Sequence, residues 1–158
     1  MARQLRSDLP DGFYHVTARG VARAPVFLDD RDRRTFLSLL ADCVRRFHWC
    51  CYAFCLMGNH YHLVLESTRV HLSLGMKSLN AVHAQCFNIR YGRSGHLFGS
   101  RFAAAVIDSE EYLETACLYV ISNPVRAGLC ARAADWPWAA TRWRRASTSG
   151  VDEHTFAR

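Results

Sequence analysis

Lysine is almost missing from this chain. Of its 20 basic residues 19 are arginine, and only Lys77 is lysine. A GC-rich genome produces the same bias, but the chemical consequence stands. Against 14 acidic residues the formal net charge is +6 and the pI is near 9.2, which favours a polyanionic partner. Guanidinium groups add bidentate phosphate recognition and stacking on bases. Charge alone identifies no nucleic-acid binder, because many basic proteins never touch one. Also missing is any CxxC pair. The cysteines (Cys43, Cys50, Cys51, Cys55, Cys86, Cys117 and Cys130) are odd in number and mostly lie in apolar runs. That argues against a zinc knuckle or a disulfide framework, and for buried free thiols in a reducing compartment.

No apolar run is long enough to span a membrane, since the longest is broken by Gly58, Asn59 and two histidines. The stretch MARQLRSDLPDG carries no apolar core of signal-peptide length, so a cytoplasmic protein is expected, nucleoid-associated when bound to DNA. There is no internal repeat, and no linker before the last dozen residues. The 158 residues, half of them hydrophobic and 22% charged, fit one domain able to bury roughly two-thirds of its unfolded surface. Residues 1–146 are assigned to that domain and 147–158 to a flexible tail.

Phe13 to Thr17 reads as a first strand after the turn signal Pro10-Asp11-Gly12. Asp29 or Asp30 can cap a helix whose apolar positions Phe36, Leu40, Cys43 and Phe47 recur at helical spacing. Trp49 to Met57 reads as a central strand, Gly58-Asn59 as a two-residue turn and His60 to Glu66 as the returning strand. A second helix aligns Leu72, Met76, Leu79, His83 and Cys86, and ends in the loop Tyr91 to Gly95. Phe102 to Ile107 is strand-like. Asp108-Ser109-Glu110-Glu111 has the form of a capping box, opening a third helix expected to stop at Asn123-Pro124. The order implies an α+β fold, an antiparallel sheet with helices packed against it.

Within CLMGNHYHLVLE (Cys55 to Glu66), strand alternation points His60 and His62 one way and Tyr61 the other. Two imidazoles roughly 7 Å apart along a strand can converge on one metal ion. A single histidine there reads as satisfied by hydrogen bonds; a pair on one face of an apolar strand reads better as ligands, and needs a third donor. Tyr119 and Asn123, four apart on the third helix, stack on one face. A phenol beside a metal-ligating carboxamide suits attack on a phosphodiester. By spacing alone, however, Tyr119 reads as an amphipathic core residue.

The His-x-His strand followed by a helix bearing Tyr-x-x-x-Asn resembles the HUH single-tyrosine transposases, and among them the REP-associated tyrosine transposases. The resemblance runs along Tyr14-His15-Val16 with Arg19-Gly20, Phe27 with Asp29-Asp30 and Asp32-Arg33, and Leu56 to Leu63. It continues through Gly95-His96-Leu97-Phe98 with Arg101-Phe102, Tyr119 to Leu129, and Trp136-Pro137-Trp138. Three positions depart from the common pattern: Gly58 where proline is frequent, Val21 where asparagine is frequent, and His83 where tyrosine is frequent. The resemblance implies a ferredoxin-like HUH-endonuclease architecture. It implies that His60, His62 and Asn123 bind a divalent metal, Mg2+ or Mn2+, and that Tyr119 cleaves single-stranded DNA, leaving a 5′-phosphotyrosine and a free 3′-hydroxyl. The partner it implies is single-stranded or hairpin DNA of repetitive palindromic type, bound by a monomer or a homodimer.

Tyr112 is the reserve nucleophile, although a packed aromatic is the simpler reading. Arg90, Arg93, Arg101 and Arg126 flank turns near the proposed site and, with Arg19 and His96, are candidates for DNA contact. Trp136, Trp138, Arg142, Trp143, Arg144 and Arg145 interleave aromatics with arginines. That pattern suits stacking on unpaired bases, and equally a segment docking its tryptophans on the body. Two rivals share these residues: a catalytically silent DNA-binding relative, and a metal-dependent hydrolase with water as nucleophile.

Overall fold

Tyr14, Val16 and Ala18 alternate with Phe13, His15 and Thr17, and that period of two builds the first strand. In the computed structural model, which describes residues 9–142, β1 runs Gly12–Arg19, longer at both ends than expected. It is followed by α1 (Asp30–Arg46), β2 (Cys50–Leu56), β3 (His60–Ser67), α2 (Arg69–Tyr91), β4 (Ala103–Ile107), α3 (Glu110–Arg126) and a short β5 (Ala139–Thr141). The sheet order is β4-β1-β3-β2-β5, with every neighbouring pair antiparallel. The succession β1-α1-β2-β3-α2-β4 is the ferredoxin-like unit, in the expected α+β class.

The two faces of the sheet carry separate cores. Tyr14, Val16, Tyr61, Leu63 and Leu65 face α1 and α2, meeting Phe36, Leu40, Leu72, Met76 and Leu79. Ala53, Cys55 and Val64 face α3, meeting Leu113, Ala116, Cys117 and Val120. Alternation along β3 therefore decides which residues lie beneath α3, and His60 and His62 share the parity of Val64. Tyr61 goes the other way, fully buried, its hydroxyl donating to Asn80 Oδ1 at 2.5 Å.

Helix ends follow local chemistry. Asp29 caps α1 in a reciprocal box with Asp32. Thr68 caps α2, which closes on Gly92 at φ 61°, a left-handed position that suits glycine. The inward stripe of α2 ends on Phe87 rather than Cys86, which is exposed. The two flank the stripe on opposite sides, and the larger apolar ring takes the buried slot. All seven cysteines are free, and Cys43, Cys51, Cys55 and Cys117 are buried.

Two expectations about α3 are corrected. Ser109, not Asp108, is the cap, its hydroxyl accepting from Tyr112 N at 3.1 Å, so no capping box forms. The helix also runs through Pro124 to Arg126. Proline removes the amide that would bond the carbonyl four residues back, here Val120 O. The Asn123 side chain supplies a replacement: Nδ2 donates to Val120 O at 3.2 Å and to Tyr119 O at 3.1 Å.

The sequence order missed β5, which pairs with β2. Just before it, Leu56 N donates to Trp138 O at 2.8 Å and Trp136 Nε1 donates to Leu56 O at 3.1 Å. Arg33 sits 5.8 and 5.9 Å from the rings of Trp136 and Trp138. Docking on the body is thus the observed role of both tryptophans. Arg142 lies over the Tyr52 ring. Trp143, Arg144, Arg145 and the tail at 147–158 lie outside the described residues.

Candidate active site

The turn that launches β3 is held from outside. Gly20 N donates to Asn59 O at 2.9 Å, and Val26 and Phe27 both donate to Gly58 O, at 2.9 and 3.1 Å. Asn59 Nδ2 donates to Arg23 O at 3.2 Å. The segment making these bonds turns tightly, with Ala22 and Arg23 at φ 50° and 60°, positions where non-glycine residues are strained. Gly20 is required there, because a Cβ would lie 2.0 Å from Ala24 O. The Arg19-Gly20 and Gly58-Asn59 motifs, 38 residues apart in sequence, are two halves of one support.

Three imidazoles gather on the α3 face. The β1–β3 register sets Thr17 opposite His62, Arg19 opposite His60 and His15 opposite Val64, so His15 is a diagonal neighbour of His62. His15 Nε2 lies 3.0 Å from His62 Nδ1, and their rings stack at 5.2 Å. The rings of His60 and His62 are 5.0 Å apart, edge to face, and His60 Nδ1 lies 2.6 Å from Asn59 Oδ1. Burial, helped by the neighbouring His15, His60, Arg19 and Arg126, pushes the His62 pKa down to about 3. Burial and Arg19 lower that of His60, and burial lowers that of His15. All three are neutral at pH 7, the form in which imidazole binds metal.

Over this cluster stands Tyr119, 43% exposed, its ring 5.9 Å from that of His15 and 6.3 Å from that of His62. Arg126 covers the other side, 3.9 Å from the ring centroid, and its Nη2 lies 3.5 Å from Asn123 Oδ1. With Nδ2 engaged by the helix backbone, Oδ1 is the end of Asn123 open to a cation. Tyr112 is corrected: it is half exposed rather than packed, in the first turn of α3 and roughly 10 Å along the axis from Tyr119.

Among the described residues, no three or more His, Cys, Asp or Glu side chains are placed to share a metal ion. His15 is not a third ligand, since its Nε2 faces the inner nitrogen of His62. The donors nevertheless fit a divalent cation: His62 Nε2 is buried with no hydrogen-bond partner, an orphan that calls for an explanation, beside a second imidazole. A divalent cation held there would take nitrogen from His60 and His62 and would need oxygen donors to complete its shell, for which Asn123 Oδ1 is the candidate.

The basic candidates divide. Arg19 and Arg126 flank the histidines. His96 and Arg101 are exposed on the segment joined to β1 through Gly99 N–Arg19 O, 3.0 Å, and Val21 N–Leu97 O, 2.9 Å. Arg93 lies over Phe87. Arg90 is committed elsewhere: it bonds both carboxylate oxygens of Asp29, at 2.7 and 2.5 Å, and Asp32 Oδ1 at 2.6 Å, holding the Asp29 carboxyl well below its usual range. Sequence reasoning missed His15 and Asn59 as members of the site. The alternation of β1 puts His15 on the face of Thr17 and Arg19, but only the β1–β3 register brings it to His62.

Two solved structures share the architecture. One is a REP-associated tyrosine transposase bound to a REP hairpin, with TM-score 0.69 at 17% identity, over 88% of this chain and 82% of that one. The other is a putative transposase from Deinococcus radiodurans R1, with TM-score 0.51 at 19% identity, over 75% and 95%. No curated protein matches the chain. Residues 10–123 match the family described as transposase, IS200-like. That span holds the whole ferredoxin-like unit, all three histidines, Tyr119 and Asn123, and the chain belongs to the IS200-like transposase family.

Proposed function

We propose that this chain is a metal-dependent single-stranded DNA endonuclease and strand transferase acting through Tyr119, with His60, His62 and Asn123 as metal ligands. The observation that carries this reading is the assembly of Tyr119, the histidines and Arg126 within one chain. A Mg2+ or Mn2+ held by His60, His62 and Asn123 would polarise the scissile phosphodiester, and two imidazole nitrogens suit manganese.

The Tyr119 hydroxyl oxygen attacks phosphorus and gives its proton to water, to which the side chain is open. The bond from phosphorus to the 3′-oxygen breaks, and that oxygen leaves as a hydroxyl after taking up a proton. The products are a 5′-phosphotyrosine and a free 3′-hydroxyl. Phosphodiester bond energy is retained, so a 3′-hydroxyl can later reseal a strand without ATP. Arg19 and Arg126, on either side of the site, are the phosphate-holding groups; Arg93, His96 and Arg101 extend the basic surface. The fold shared with a transposase bound to a REP hairpin supports a hairpin-forming repetitive palindrome with an unpaired cleavage site as substrate.

The test is a labelled hairpin with a single-stranded extension, incubated with protein and Mn2+ and run under denaturing conditions. A protein–DNA adduct is expected from the wild type. Tyr119→Phe is expected to lose it while binding DNA as before. An undiminished adduct in that variant overturns the assignment. Cleavage with no adduct favours a water-using hydrolase, and binding with neither favours the catalytically silent relative.

A further inference from the structure

We infer that Asn59 and His15 are positioning residues that fix the tautomers of His60 and His62, so that both present an unprotonated Nε2 to the same metal. The inference rests on the metal reading above and adds how the ligands are held.

The tautomer of His60 follows by exclusion. Asn59 has one donor end and one acceptor end. Its Nδ2 faces the carbonyl of Arg23 at 3.2 Å, and a carbonyl can only accept. Oδ1 is therefore the end 2.6 Å from His60 Nδ1, and an oxygen acceptor there requires the proton on Nδ1. A neutral imidazole with its proton on Nδ1 has its lone pair on Nε2.

The tautomer of His62 follows from burial. One of the two nitrogens in the 3.0 Å contact between His15 Nε2 and His62 Nδ1 carries the proton. Were it His15, the proton of His62 would sit on Nε2, which is buried with no partner, and orphaned buried N–H groups are rare. With the proton on His62 Nδ1, His15 accepts it and the buried Nε2 is a lone pair, the form a cation needs. The two supports come from different places, one from the turn before β3 and one from β1 across the sheet. Both histidines then carry the proton on Nδ1 and the lone pair on Nε2. Hydrogen bonds to the second nitrogen of a ligating histidine are a recurrent means of setting ring orientation.

The first experiment needs no metal and no variant. Long-range 1H–15N correlation spectra of the 15N-labelled full chain, metal-free at neutral pH, distinguish protonated from unprotonated ring nitrogens. His60 and His62 are both expected as the Nδ1–H tautomer. Finding either one as Nε2–H overturns the inference.

The second experiment is calorimetric titration with Mn2+. Asn59→Ala and His15→Ala are expected to weaken binding by roughly 10–100-fold. His15→Gln, whose amide oxygen can accept from His62 Nδ1, should recover most of the loss, which a merely space-filling role would not require. A wild type that takes up no Mn2+ overturns the metal reading itself. Wild-type uptake with unchanged affinity in both alanine variants overturns the positioning alone. Should an alanine variant fail to fold, the wild-type spectra still decide.

Discussion

Asn123 does one thing with its carboxamide that is seen and has a second proposed for it. Its Nδ2 replaces the donor that Pro124 removes, and this holds the last turn of α3 together. Its Oδ1 lies 3.5 Å from Arg126 Nη2 and is the end that the proposed metal would use. The two roles separate by substitution. Asn123→Ala leaves Val120 O without its side-chain donor, and unfolding free energy is expected to fall by about 1–3 kcal/mol, read by urea denaturation. Asn123→Asp keeps an oxygen donor but loses the amide, so it should show similar destabilisation while still binding Mn2+. Equal stability of the alanine variant and the wild type would refute the helix role. Of the candidate site, the pairing of His60 with His62 was readable from strand alternation. Tyr119 and Asn123 were singled out by the family resemblance, since by spacing alone Tyr119 reads as a core residue. The state of each was not readable. Nothing local to the sequence says that His62 is buried, that Asn59 faces His60, or that Arg90 is consumed by Asp29 and Asp32.

At the scale of elements, the site depends on segments that contribute no reacting group. The loop after β1 donates to the carbonyls of both Gly58 and Asn59 and accepts from the Asn59 side chain at Arg23 O. Gly20→Ala places a methyl 2.0 Å from a backbone oxygen that cannot rotate away, so the loop must open. A stability loss of about 1–3 kcal/mol is expected, together with weaker Mn2+ binding, because the support of Asn59 moves with it. Thermal melts and calorimetry on one preparation check both; loss of stability with unaltered metal affinity would disconnect the loop from the site. The elements were legible where the period was sustained, as in β1, α1, the β2–β3 hairpin and α2. They were misread where side chains overrode a local rule. Asn123 carries the helix past the proline that should end it, and three short residues pair as β5 only because β2 offers an open edge.

Across the whole molecule, burial of imidazoles ties stability to pH. His15, His60, His62 and His83 all have lowered pKa values, with burial the leading cause in each. The unfolded chain binds a proton on each near the ordinary value of 6.5, whereas folded His62 resists protonation down to about 3. Between those values the unfolded state holds more protons, so stability is full above about pH 6.5 and falls as the pH is lowered. Asp29, depressed by Arg90, acts in the same direction but only below its ordinary 3.8. Urea unfolding at several pH values should therefore show losses beginning between about pH 6.5 and pH 4.5. A flat profile across that window would contradict the neutral, buried state of the cluster. Added Mn2+ should deepen the loss with pH, since protonation and metal compete for the same lone pairs.

By itself the sequence determined which candidate residues share a face: two histidines on one side of β3, a tyrosine and an asparagine four apart on α3, and an abundance of arginine. These follow from periods of 2 and 3.6 residues, which are local properties of the backbone. Tertiary structure alone decided that β1 lies beside β3 with His15 diagonal to His62 and that the loop after β1 grips Asn59. It alone sets α3 over that face of the sheet with Tyr119 above the cluster. Pairing between strands more than forty residues apart depends on which faces both helix layers bury, and no local period encodes that choice.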